Sequence, residues 1–207
     1  MKPLILSKKG NELLEIYKKM VAKDEYENNI FNIKFYKHLI KKEFDKFEIN
    51  SLLDYGCGRV DYLDKNFTEN NLSAKDYFHL SKINLYEPSI GIDTRTMSDC
   101  VMAIDVLEHI FFDDLRNVIF DIYQYSKKLV ILQVACYPAN AKLPNGENAH
   151  ITLRPPLWWK GMIDNFNLEF KNISTLLICS TDYNKLQVFP TWKASSISDS
   201  DTYVINV

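Results

Sequence analysis

The segment KLVILQVAC, residues 128–136, constrains this chain more than any other. It is a short apolar run without the alternation of a half-exposed strand, so it reads as a strand buried on both faces. Such a strand needs covering layers above and below it. Three shorter runs read the same way: Ile49 to Tyr55, INLYE at 83–87 and DCVMAID at 99–105. Helical spacing lies around and between them. Residues 8–24 place Leu13, Leu14, Tyr17 and Val21 on one face, and a helix from Ile30 to Phe47 does so with Ile33, Tyr36, Leu39 and Ile40. Asp113 is a suitable N-cap for a helix carrying Leu115, Val118, Ile119 and Ile122, and Pro155-Pro156 can open another running to about Phe166. This alternation predicts an α/β fold, a mostly parallel sheet with helices on both faces. The β-like tail (LEFKNISTLLICS, KLQVFPTW, TYVINV) predicts a closing antiparallel C-terminal hairpin.

The 207 residues suffice for one sizeable core and are too few for two ordinary domains. Apolar residues make up 46%, which marks a globular chain, and the net charge of −2 with no basic stripe argues against a nucleic-acid partner. The four cysteines lie far apart with no CxxC pair, so buried thiols are expected in place of zinc or redox chemistry. No stretch approaches the roughly 18–20 apolar residues of a membrane span, and MKPLILSKKG lacks the apolar length of a secretory signal. The expectation is a reduced, cytoplasmic protein with no membrane partner.

The stretch SLLDYGCG, 51–58, ends a buried strand in an acid and two glycines. In open α/β sheets the ligand sits beyond the carboxyl ends of the strands, where glycine permits a tight turn and close backbone approach. A GxG alone also fits a plain turn. A nicotinamide dinucleotide needs a third glycine where this chain has Asp61, and Asp54 would repel a pyrophosphate. An acid at that place suits a ligand that carries positive charge.

LLDYGCG, together with MAIDVLEHI at 102–110 and LYEP at 85–88, resembles class I S-adenosylmethionine-dependent methyltransferases. The resemblance covers roughly residues 50–135 and implies a single Rossmann-like domain, with 1–48 as a helical cap and 49–207 as the core. It implies S-adenosylmethionine as cofactor, with Asp54, Gly56, Cys57 and Gly58 at its methionyl part. Glu87 would take the ribose hydroxyls, with Pro88 and Ser89 nearest to it, and Asp105 would stand near the sulfonium. The chain departs from the pattern at Val60, where the family has a third glycine. An insertion is expected over 64–81, and PSIGIDTRTMS abbreviates the usual helix and third strand. The later stretch LPNGENAHITLRPPLWW resembles small bacterial and phage members, some linked to surface-sugar modification. That implies an O-methyltransferase whose acceptor is a hydroxyl on a small polar molecule, a nucleotide-linked or capsular-polysaccharide sugar.

A hydroxyl acceptor needs help losing its proton, from a base or from a cation that lowers its pKa. Asp105, Glu108, His109 and His150 are the candidates. Asp105 and His109 share a face if a helical turn follows the strand. With His150 they also make the two-His, one-carboxylate set of a divalent metal such as manganese or iron. Acid–base or structural use of His109 ranks ahead of metal use. Trp158 and Trp159 read first as core, and Arg154 as an anion ligand or a partner of Glu147 or Asp164. Two alternatives stand beside O-methylation: an N-methyltransferase acting on a small amine, and a non-catalytic protein that only binds the cofactor.

Overall fold

A computed structural model of the chain describes residues 1–22, 30–193 and 202–206. Three helices lead in: α1 (Lys8–Ala22), α2 (Ile30–Phe35) and α3 (Lys37–Phe47). Then come β1 (Ser51–Tyr55), α4 (Ala74–Tyr77), β2 (Lys82–Glu87), β3 (Ile92–Asp93), β4 (Ser98–Ile104), α5 (Phe112–Gln124) and β5 (Ser126–Ala135). The chain closes with α6 (Pro156–Glu169), β6 (Ser174–Asp182), β7 (Lys185–Trp192) and β8 (Tyr203–Asn206). One eight-stranded sheet runs β3-β2-β1-β4-β5-β6-β7-β8. β2, β1, β4, β5 and β6 are parallel neighbours, while β3, β7 and β8 pair antiparallel. The fold is therefore α/β, with the antiparallel C-terminal hairpin that the tail predicts. No helix among the described residues is long and apolar enough to cross a membrane.

The two-residue side-chain period of each strand feeds two cores. Leu53, Val101, Ala103, Val130 and Leu132 face α5 and α6, where Leu115, Ile119, Ile122, Trp159 and Ile163 are fully buried. Leu52, Cys100, Met102, Leu129 and Ile131 face the other way, onto Ile33, Ile40, Phe44, Phe67 and Phe78. Each such aliphatic side chain contributes about 1.5–3 kcal/mol by leaving water. Trp159 is thus core, and Trp158, read with it as core, is half-buried against it. Exposed Arg154 instead lies over the rings of Phe112 and Trp158, at 5.7 and 5.5 Å from their centroids.

Several local expectations change in detail. The helix expected over 30–47 breaks at Tyr36, whose hydroxyl is 3.1 Å from Ser180 Oγ. Asp113 is not the cap of α5, because the helix starts at Phe112 with no side-chain cap at Phe111. Asp113 and Asp114 lie in its first turn, where carboxylates meet the positive end of the helix. The 64–81 stretch holds a 3₁₀ turn, Lys65–Phe67, and α4, and it closes the second core with Phe67 and Phe78. Residues 23 and 24, expected to end the first helix, lie outside the described residues, as does the side chain of Val21.

α1 packs on the 136–155 loop, with Leu13 against Leu143 and Ala149 in a small third cluster that Tyr17 and Ile151 flank. Ser7 precedes α1, and its hydroxyl accepts the Gly10 N–H at 3.0 Å. Asp114 of α5 receives the Ser7 N–H at 2.6 Å and the Ser7 hydroxyl at 2.8 Å. The N-terminal helix is thereby clamped over the carboxyl ends of the strands.

Candidate functional site

β1 connects to β2 on one side and β4 to β5 on the other. The β1/β4 boundary is therefore the switch point of the sheet, where a crevice opens at the carboxyl ends. Gly56 and Gly58 turn the chain there with φ of +79° and +56°. The N–H groups of Gly56 and Cys57 donate to the Tyr86 carbonyl at 2.8 and 3.2 Å. A Cβ on Gly56 would stand 2.5 Å from Val106 Cγ2. The turn after β1 thus touches the turn after β4, and only glycine fits between them.

A cleft of about 750 Å³, counting its open mouth, lies over this boundary. Gly56, Glu87, Pro88, Ser89, Asp105 and His109 line its sheet side, and Leu4, Leu6, Leu13, Leu14 and Tyr17 line the wall under α1. The Glu87 carboxylate is pinned at the end of β2. Its Oε2 accepts the Gly58 N–H at 3.1 Å, and its Oε1 accepts the Ser89 N–H and hydroxyl at 3.0 and 2.6 Å. Ser89 thus fills both lone pairs of Oε1, and Oε2 keeps one for a ligand.

Asp54, Cys57, Gly58 and His150 do not line this cleft. Asp54 is 2% exposed, and its Oδ2 accepts the Tyr62 hydroxyl at 2.9 Å. Burial pushes its pKa up to about 7, the Tyr62 bond opposes the shift and the Glu87 charge adds to it. At Cys57 burial, then Asp54 and Glu87, keep the thiol protonated.

Asp105 leaves β4 with φ of +60°, a left-handed conformation that strains a non-glycine residue and is often found at functional sites. A 3₁₀ turn, Leu107–His109, follows. Glu108 is fully buried and accepts the Ala135 N–H at the end of β5. Among the described residues its Oε2 has no hydrogen-bond partner. Burial first and Asp105 second drive its pKa well above the carboxylate range, so Glu108 is a neutral acid that can donate to Asp105. The Thr152 N–H donates to the Glu108 carbonyl at 3.0 Å, and the Thr152 hydroxyl to the Ile110 carbonyl at 2.6 Å. These bonds fold the loop over the turn and bring His150 beside His109, with ring centroids 5.0 Å apart and planes at 81°.

Backbone carbonyls hold both rings. His109 Nδ1 is 2.9 Å from the Ala149 oxygen, and His150 Nδ1 is 2.6 Å from the Tyr137 oxygen. A carbonyl only accepts, so each Nδ1 carries a proton and each lone pair lies on Nε2. Burial lowers the His109 pKa, with the Asp105 charge opposing, so the ring is neutral near neutral pH. One ligand atom each from Asp105, His109 and His150 lies within 4.8 Å of the others. The Tyr17 hydroxyl is also 2.9 Å from His109 Nδ1. Sequence spacing marks Tyr17 only as part of the apolar face of α1, and nothing in its neighbourhood along the chain signals this contact.

Comparison with family models, with curated proteins and with solved structures finds no match.

Proposed function

We propose that the protein is a S-adenosylmethionine-dependent methyltransferase acting on a hydroxyl of a small polar acceptor, with a nucleotide-linked or capsular-polysaccharide sugar as the class. One observation carries the reading. The cleft at the switch point joins a pinned carboxylate, Glu87, to the polar edge at Asp105 and His109. Glu87 Oε2 keeps a lone pair that can accept a ribose hydroxyl, and the leucines under α1 offer an apolar wall to a purine. Asp105, which lines the same cleft, would then face the positive sulfonium. Methyl transfer would form the acceptor O–C bond as the C–S bond breaks, and the acceptor proton would be lost to water at the edge that Asp105 and His109 line. Much of the rate in such a displacement comes from holding oxygen, carbon and sulfur in line. The loop that carries His150 and Tyr137 supports a polar acceptor, because it sets hydrogen-bonding groups beside that edge. The choice of a sugar rests on the resemblance of the 143–159 stretch alone.

Calorimetric titration with S-adenosylhomocysteine tests the reading. Binding is expected, weakened about tenfold or more in Glu87→Ala, a loss of about 1.4 kcal/mol or more. Binding by NAD in its place, or equal affinity in the variant, would overturn it.

A further inference from the structure

The geometry points to a divalent transition-metal site formed by Asp105, His109 and His150. Three observations made above converge on it. A ligand atom from each of the three lies within 4.8 Å of the others. Both imidazoles have their Nδ1 proton tied to a backbone carbonyl, which fixes the tautomer and leaves Nε2 as the ligand nitrogen. This outer-shell arrangement typically orients a metal-bound histidine. The third ligand sits on a strained backbone at φ of +60°, held where a relaxed strand end would not place it.

The three side chains come from two separate segments, the turn after β4 and the loop after β5. The Thr152 bonds to the Glu108 and Ile110 carbonyls lock those segments together. Ligands about 2.1 Å from a common ion at right angles stand about 3 Å apart, so closure draws the three ligand atoms inward from their present separations. Two imidazoles and one carboxylate suit zinc, manganese, iron or cobalt in the divalent state, and suit magnesium poorly. Three protein ligands leave coordination positions open. Asp105 and His109 also line the cleft, so those positions are within reach of a bound molecule.

The role of the cation in the reaction rests on the methyltransferase reading, whereas the site itself does not. A bound cation would hold the acceptor hydroxyl as an alkoxide, its proton released to water, and the three side chains would act as ligands and not as the base. This selects an acceptor whose hydroxyl has a neighbouring oxygen, such as a vicinal diol, because such a group can chelate the ion.

The test uses the full chain stripped with EDTA and titrated with cobalt(II) chloride, read by calorimetry and by the visible absorption of the bound ion. One equivalent per chain is expected. His150→Ala and Asp105→Asn should each lose about 100-fold in affinity, and circular dichroism checks that both still fold. Uptake no stronger than in His150→Ala would overturn the site, as would uptake of one equivalent that neither substitution changes. S-adenosylhomocysteine is titrated into both the stripped and the cobalt-loaded protein. S-adenosylhomocysteine binding without cobalt uptake overturns the metal site and leaves the methyltransferase reading standing. Cobalt uptake without S-adenosylhomocysteine binding does the reverse.

Discussion

Asp54 is buried at the carboxyl end of β1 with the Tyr62 hydroxyl on Oδ2, and its pKa is pushed up to about 7. The folded chain therefore keeps a proton that the unfolded chain releases at the ordinary carboxylate value. Stability contributed by this group falls as pH rises between those two values and is level above about 7. The span corresponds to on the order of 4 kcal/mol. Asp54→Asn should flatten the fall in the urea midpoint between about pH 5 and about pH 7.5. Equal slopes in the two proteins would mean that Asp54 ionises normally. Arg95 poses the opposite case. It donates to Asp93 at 2.6 Å and to Asp121 at 2.7 Å, and it lies over the Tyr86 ring at 3.9 Å. Asp121 is 2% exposed and also accepts the Tyr55 hydroxyl at 2.8 Å. Arg95→Met keeps much of the stem and strands that buried carboxylate, and should cost about 3 kcal/mol in a urea melt. Arg95→Met combined with Asp121→Asn should recover part of the loss. Neither environment is legible from the residues themselves, since Asp54 and Asp121 differ by their neighbours and not by their flanking sequence.

At the scale of the element, α1 is the part that a strand-and-helix reading leaves without a task. Its apolar face is visible in the spacing of Leu13, Leu14 and Tyr17, but the surface it covers is not. The structure lays it across the switch-point cleft and holds it by the Ser7–Asp114 clamp. Gly10 is where this clamp is tightest. A Cβ there would stand 2.2 Å from Asp114 Oδ2 and 3.2 Å from Leu6 Cβ. The Asp114 carboxylate is bonded to Ser7 and yields only by giving those bonds up. Gly10→Ala should loosen α1 while leaving the sheet intact. Amide exchange in residues 1–22 should rise by about tenfold, with little change in β4 or β5. Unchanged protection in α1 would mean that the clamp tolerates the methyl group. Other elements show local signals meeting tertiary limits. Asp113 has the chemistry of an N-cap, yet the chain enters α5 one residue earlier, where Asp114 is needed by Ser7.

For the molecule as a whole, one sheet supplies both cores, because adjacent residues of the same strand point into opposite layers. Neither layer can be lost without exposing the back of the other. Thermal unfolding is expected as a single transition, coincident by far- and near-ultraviolet circular dichroism. Two separated transitions would show that the N-terminal helices form a unit of their own. S-adenosylhomocysteine at about 100 times its Kd should add about 2.7 kcal/mol and raise the midpoint by roughly 5–10 °C. The parallel strands β1, β2, β4 and β5, the helices α1, α5 and α6, the α/β class and the antiparallel tail are legible in the sequence alone, whereas β3, α4 and the break at Tyr36 are not. Periods of two and of about 3.6 residues are local and complete within ten or so positions. The glycine turn and the acids at the ends of β1, β2 and β4 are legible for the same reason. What only the tertiary structure decided is the meeting of distant residues: Tyr17 with His109, His109 with His150, and Ser7 with Asp114. It also decided which histidine nitrogen keeps a lone pair, because that depends on the carbonyls of Ala149 and Tyr137 arriving beside the rings. Such encounters are set by how loops close across the sheet, and no periodicity within one segment encodes where another segment will lie.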